Sequence, residues 1–162
     1  WDTLDRDRSG RVHPGPTGLN GWARVLLVAA VLVLISGTVV TGSGPHAGDS
    51  ADVPRMGFDW AATTVVHGCI SGAVVVAAAR VRWSSPRGSR LRSHATRLLV
   101  LLAAQAAVGI LQSLTGLPSA AVVAHMLGAA LIVVGAVRLT LETTHTTAGA
   151  PARTGGSCQE NP

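Results

Sequence analysis

Two histidines sit inside long apolar stretches of this chain, His67 within AATTVVHGCISG and His125 within AVVAHMLGAAL. An ionisable side chain in such surroundings is costly unless it is paired or used, so both are candidates for function. Neutral imidazole offers one ring nitrogen as a lone-pair donor, which suits metal ligation or proton relay. The remaining histidines, His13, His46, His94 and His145, fall in connectors or tails, where a solvated side chain is the expectation. No Ser/His/Asp set, phosphate-binding loop or pair of carboxylates is present, so hydrolytic chemistry has no residues to work with. Cys69 and Cys158 lie too far apart in the chain's organisation to pair, one in a span and one in a tail. They have no metal-type spacing and no C-x-x-C-H arrangement. Cys69 reads as a small apolar packing residue.

The elements that must hold the two histidines are four apolar stretches, 22–41, 61–79, 98–117 and 119–141. A helix needs about 20 residues to cross a hydrocarbon layer of about 30 Å, and each stretch meets that length. Within them the charges are limited to Arg24 and Arg138, each near an end, where a long side chain can reach the headgroups. Buried helices of a soluble protein would instead show apolar stripes with charged outer faces, and none of these does. With 48% hydrophobic and only 13% charged residues in 162, the chain is predicted to be an all-α membrane protein, an up-down bundle of four transmembrane helices.

A net charge of +5 could suggest nucleic-acid binding, but the arginines have another explanation. Six of the thirteen basic residues, Arg80, Arg82, Arg87, Arg90, Arg92 and Arg97, flank or occupy the connector between the second and third spans, which carries no acid. The opposite connector, 42–60, sets Asp49, Asp52 and Asp59 against Arg55 alone. Basic connectors stay in the cytoplasm. The expected topology therefore has both termini and residues 80–97 inside, with 42–60 and the turn at 116–118 outside. Residues 1–21 read as a cytoplasmic loop or tail, 22–141 as the membrane domain, and 142–162 as a disordered cytoplasmic tail rich in Thr, Gly, Ala and Pro.

His67 lies seven residues past Trp60, and His125 seven past Pro118, two residues that mark the outer interface. Both imidazoles are then about 10 Å deep from the same side, on helices running in the same direction. In an up-down ring the second and fourth helices are diagonal, about 12–14 Å apart if neighbouring axes are 8–10 Å apart. That span is wide for a shared small ion and suits two imidazoles on opposite faces of a heme iron. Small residues follow each histidine, Gly68, Ser71 and Gly72 after His67 and Gly128, Ala129 and Ala130 after His125, and could make room for a macrocycle. Gly68 and Gly72 equally form a G-x-x-x-G pattern for close helix packing. Histidines bonded to neighbouring helices, or a proton-relay pair, are the alternatives to ligation. Gln105 and Gln112, seven apart on one helix face, suggest interhelical hydrogen bonds.

Three stretches resemble one family. GTVVTGSGPHAGD at 37–49 is similar to the end of the fifth helix and the following outer loop of heme A synthases, especially the actinobacterial type. AQAAVGILQSLTGLP at 104–118 looks like that family's seventh helix and tight outer turn, and AVVAHMLGAAL at 121–131 like its histidine-bearing eighth helix. The resemblance covers roughly 22–141. It implies one half of an eight-helix fold whose two halves are alike. It implies an oxidoreductase that turns the methyl group of heme O into the formyl group of heme A for terminal oxidases, in a bacterial plasma membrane. It also implies heme b as cofactor of the carboxyl-terminal half, held by an axial histidine on each of the sixth and eighth helices, which fall on His67 and His125. The site where heme O reacts belongs to the amino-terminal half, so no catalytic residue is expected here. The chain is expected to be a truncated or split product, or to pair with a separate amino-terminal half, another copy or heme O synthase. His46 and Asp49 belong to the family-like loop, where they would gate heme access or shape turns. Arg55 could meet propionates or stay solvated.

Two other classes compete with this reading: a non-enzymatic bis-histidine b-type cytochrome or electron-transfer subunit, and a structural four-helix module without cofactor.

Overall fold

The computed structural model describes residues 18–44 and 55–148. Four helices make up the described chain: α1 (Leu19–Ser43), α2 (Trp60–Ser84), α3 (Arg90–Leu114) and α4 (Ser119–Ala148). Each is long and apolar enough to cross a membrane, and no strand occurs among the described residues. The protein is a multi-pass membrane protein.

Local chemistry sets the helix ends. The Asp59 carboxylate accepts the Ala62 amide at 2.7 Å and starts α2, and the Ser89 hydroxyl accepts the Arg92 amide at 3.2 Å and starts α3. α3 therefore begins eight residues before the apolar stretch at 98, because a cap, rather than hydropathy, decides where a helix starts. α1 closes on Gly44, whose amide returns to the Val40 carbonyl. The α3–α4 turn places Gly116 and Leu117 in the left-handed region, with φ of 73° and 60°, and the Leu117 amide bonds back to Gln112 O. α2 runs past the expected end at 79 to Ser84, and α4 past 141 to Ala148. Residues 142–148 are thus helical rather than part of a tail. Thr143, buried within that extension, donates to the Thr140 carbonyl. The tail expected beyond 148 and the segment 1–17 lie outside the described residues.

The helices form an antiparallel ring. α1 packs on α2, α2 on α3, α3 on α4 and α4 back on α1, whereas the backbones of the diagonal pairs stay apart among the described residues. One end of the ring, here termed basal, holds the start of α1 and α3 and the finish of α2 and α4. There the Arg80 guanidinium lies 5.3 Å over the Trp22 ring, Thr140 Oγ1 donates to Ala23 O, and Arg82 Nε donates to Thr96 Oγ1 at 3.0 Å. Arg92 Nη1 donates to the carbonyls of Arg82 and Ser85, satisfying groups that the end of α2 leaves open. His94 Nδ1 and Glu142 Oε1, 2.7 Å apart, tie α3 to α4.

The core is confined to this basal half. Leu26 and Ala30 of α1, Val74, Ala77, Ala78 and Val81 of α2, Leu98 and Leu102 of α3, and Ile132, Ala136 and Leu139 of α4 are buried together. Alanines at these contacts bring helix backbones close, which matters where lipid removes the hydrophobic incentive for helices to associate. Toward the other, apical end, beyond Ala30, Val74, Leu102 and Ile132, the only buried positions among the described residues are Gly44 and Gly128. Exposed Leu32, Val66, Ile110 and Leu127 are the lipid-facing surface that such a chain requires.

Candidate functional site

Both intramembrane histidines belong to the apical half. His67 is seven residues into α2 from Trp60, and His125 six residues into α4 from Ser119. At 1.5 Å per residue these are nearly equal depths, about 10 Å and 9 Å. The helices that carry them are the diagonal pair α2 and α4, as the spacing predicted.

Each ring rests on a glycine of the preceding helix in sequence. A Cβ on Gly37 of α1 would stand 3.3 Å from His67 Cε1, and a Cβ on Gly109 of α3 would stand 3.0 Å from His125 Cε1. The bundle is therefore two hairpins, α1–α2 and α3–α4, each with an imidazole laid on a bare stretch of backbone. Glycine costs about 1 kcal/mol relative to alanine inside a helix, so such positions mark a close approach. Neither was singled out from the sequence. The available signal was a glycine inside an apolar run, in the last third of its helix.

Polar contacts hold the histidines unequally. His67 Nδ1 is 2.9 Å from Ser36 Oγ, and the same hydroxyl donates to Val33 O at 3.1 Å. The Ser71 hydroxyl donates to the His67 carbonyl at 2.8 Å. For His125 the side-chain contact is to the backbone: the Gln105 amide donates to the His125 carbonyl, and its oxygen crowds Gly128. His125 Nδ1 is shielded from solvent and has no hydrogen-bond partner among the described residues. No hydrogen bond ends on Nε2 of either ring, and neither Nε2 is enclosed. His67 thus engages a neighbouring helix through Nδ1, whereas His125 does so through its carbonyl, and a neutral imidazole in either place offers one ring nitrogen as a lone-pair donor.

Other expectations fare differently. Gly68 and Gly72 have no atom near where a Cβ would sit, so the G-x-x-x-G pattern does not pack helices within this chain. Gly128 is covered by Gln105 and leaves no space beside His125, and Ala130 is exposed. Gln105 makes the expected interhelical bond, whereas Gln112 Oε1 is buried without one. His94, expected to be solvated, is paired with Glu142. Cys69 is an exposed free thiol, and Arg55 is exposed. His13, His46, Asp49, Asp52 and Cys158 lie outside the described residues, as does the His145 side chain. A shallow cleft of about 250 Å³ lined by Ser89, Arg92, Ser93 and Thr96 lies at the basal end and contains neither intramembrane histidine. No group of three or more His, Cys, Asp or Glu side chains converges among the described residues.

Paired ring nitrogens are available at one depth on diagonal helices, in the half of the bundle without a side-chain core. No family model, curated protein or solved structure matches the chain.

Proposed function

We propose that this chain is the heme b-binding half of a heme A synthase, with His67 and His125 as the axial ligands. One observation supports the reading above the rest. The two imidazoles with unengaged Nε2 atoms occur where the four helices bury almost nothing of their own. A porphyrin is a flat apolar body of the kind such a half-bundle can surround, and Gly37 and Gly109 let the Cε1 edge of each imidazole come close to its neighbour helix. When bound, such a heme supplies reversible one-electron chemistry at iron.

The chain's residues would do three things in that role. His67 and His125 would hold the heme iron through their Nε2 atoms. Ser36, Ser71 and Gln105 orient the two histidine segments. The basal core excludes water beneath the site and fixes the spacing of α2 and α4. Oxidation of heme O would take place in an amino-terminal half of similar build, contributed by the same polypeptide or a separate one. The arginine-rich basal connector would be cytoplasmic, and the membrane the bacterial plasma membrane.

A second reading is a non-enzymatic bis-histidine cytochrome, which would use the same two histidines. A reduced-minus-oxidised spectrum of the purified chain tests both. A b-type band lost in His67→Ala or His125→Ala is the expected result, and no band in the wild type rejects heme binding. Heme A formation from heme O on co-expression with an amino-terminal half separates the enzyme from the electron carrier.

A further inference from the structure

The two histidines are not equivalent, and the difference lies in a hydroxyl. We propose that Ser36 is a positioning residue that fixes the tautomer of His67, making His67 the anchoring ligand and His125 the exchangeable one. The inference rests on the heme-binding reading and assigns unequal duties within it.

Proton accounting carries the argument. The Ser36 hydroxyl has two neighbours, the Val33 carbonyl at 3.1 Å and His67 Nδ1 at 2.9 Å. A carbonyl can only accept, so bonding to Val33 consumes the one hydroxyl proton. The oxygen then presents lone pairs to Nδ1, which must carry the imidazole proton. The relay runs from His67 Nδ1–H to Ser36 Oγ–H to Val33 O, two hydrogen bonds from two protons. Nε2 is left as a bare lone pair. The other tautomer keeps one hydrogen bond, with Ser36 donating to Nδ1. It also leaves an Nε2–H without an acceptor inside the bundle. The additional hydrogen bond, worth about 0.5–1.5 kcal/mol, favours the first tautomer.

His125 has no such relay. Its Nδ1 lacks a side-chain partner, and Gln105 grips its carbonyl instead of its ring. The Gln105 bond holds the backbone there, and the imidazole itself packs against Gly109. An Nδ1–H donated to an oxygen raises the basicity of the opposite nitrogen and fixes the ring's orientation, and metal sites commonly hold their histidines this way. His67 therefore binds iron more strongly than His125 does.

The experiment uses the full chain in detergent, without heme and then with hemin. In the heme-free protein, imidazole ¹⁵N resonances assigned by comparison with His67→Ala should show His67 as the Nδ1–H tautomer. Ser36→Ala should mix the tautomers, and Ser36→Thr should restore the wild-type pattern. With hemin, Ser36→Ala should bind at least about 10-fold more weakly, in the range that loss of an outer-shell partner produces. Its midpoint potential should move upward, because a less basic ligand favours ferric iron less. His125→Ala should keep a five-coordinate heme that takes up added imidazole, whereas His67→Ala should lose it. Unchanged tautomer, affinity and potential in Ser36→Ala, in a protein that binds hemin, would overturn the role of Ser36 and leave heme binding standing. A wild-type protein that binds no hemin would reject the heme reading, while the tautomer measurement would still decide the relay.

Discussion

Gly109 lies directly against the His125 ring, so close that a methyl group in place of its hydrogen would stand 3.0 Å from Cε1 and 3.6 Å from Nδ1. The corresponding contact of Gly37 with His67 is looser, at 3.3 Å and 3.7 Å. The same device is thus built twice, with different tolerances.

Gly109→Ala is expected to push the His125 ring away from α3, because the helix backbone behind Gly109 cannot yield. Gly37→Ala should be milder, since a few tenths of an ångström suffice there. Heme content per chain, read from the b-type band, should fall several-fold in Gly109→Ala and less in Gly37→Ala. Equal behaviour of the two variants would contradict the contact geometry.

Gln105→Leu removes the amide that crosses from α3 to the His125 carbonyl. Interhelical bonds of this type contribute about 0.6 kcal/mol and at most about 1.7 kcal/mol. A small drop in thermal stability is expected, together with weaker heme retention, because α4 loses its tie at the depth of the ligand. A stability loss without any spectroscopic change would separate Gln105 from the site.

Arg92→Ala strips the cation from the carbonyls of Arg82 and Ser85 at the finish of α2. Hydrogen bonds to a charged group are worth about 1.5–3 kcal/mol when shielded, and partial exposure here reduces that to about 1 kcal/mol. The midpoint of thermal unfolding in detergent should fall, and the heme spectrum should stay as it is. Arg92→Lys should recover only part of the loss, since one ammonium serves two separated carbonyls less well than a guanidinium.

Ala77→Leu should be far more damaging than Val66→Leu. Ala77 is fully enclosed where α2 meets its neighbours, and overpacking such a position costs about 1–3 kcal/mol. Val66 is exposed and faces lipid. Yield and monodispersity on size exclusion distinguish them, and similar behaviour would contradict the placement of the core.

Much of this architecture was legible in the sequence. The four apolar runs gave the helices, and counting from Trp60 and Pro118 set His67 and His125 at one depth on diagonal partners. What escaped were features that hydropathy does not encode. Ser89 starts α3 eight residues before its greasy stretch, and α4 continues through Glu142, which pairs with His94. The glycines beside the histidines in sequence proved less important than Gly37 and Gly109, which meet the rings across helix interfaces. Helical register between separate segments decides such contacts, and a linear pattern of small residues cannot supply it. The unequal treatment of the two rings likewise depends on Ser36 facing His67, a relationship that spans 31 residues.

Confining the tightly packed alanines and leucines to one end has a consequence for biogenesis. The two hairpins are held to each other chiefly through the basal half. Parting the apical ends of the described helices uncovers few buried side chains, so a rigid disc could slip between the hairpins late, after insertion is complete. Cofactor loading would then be the final step of maturation rather than a condition for folding.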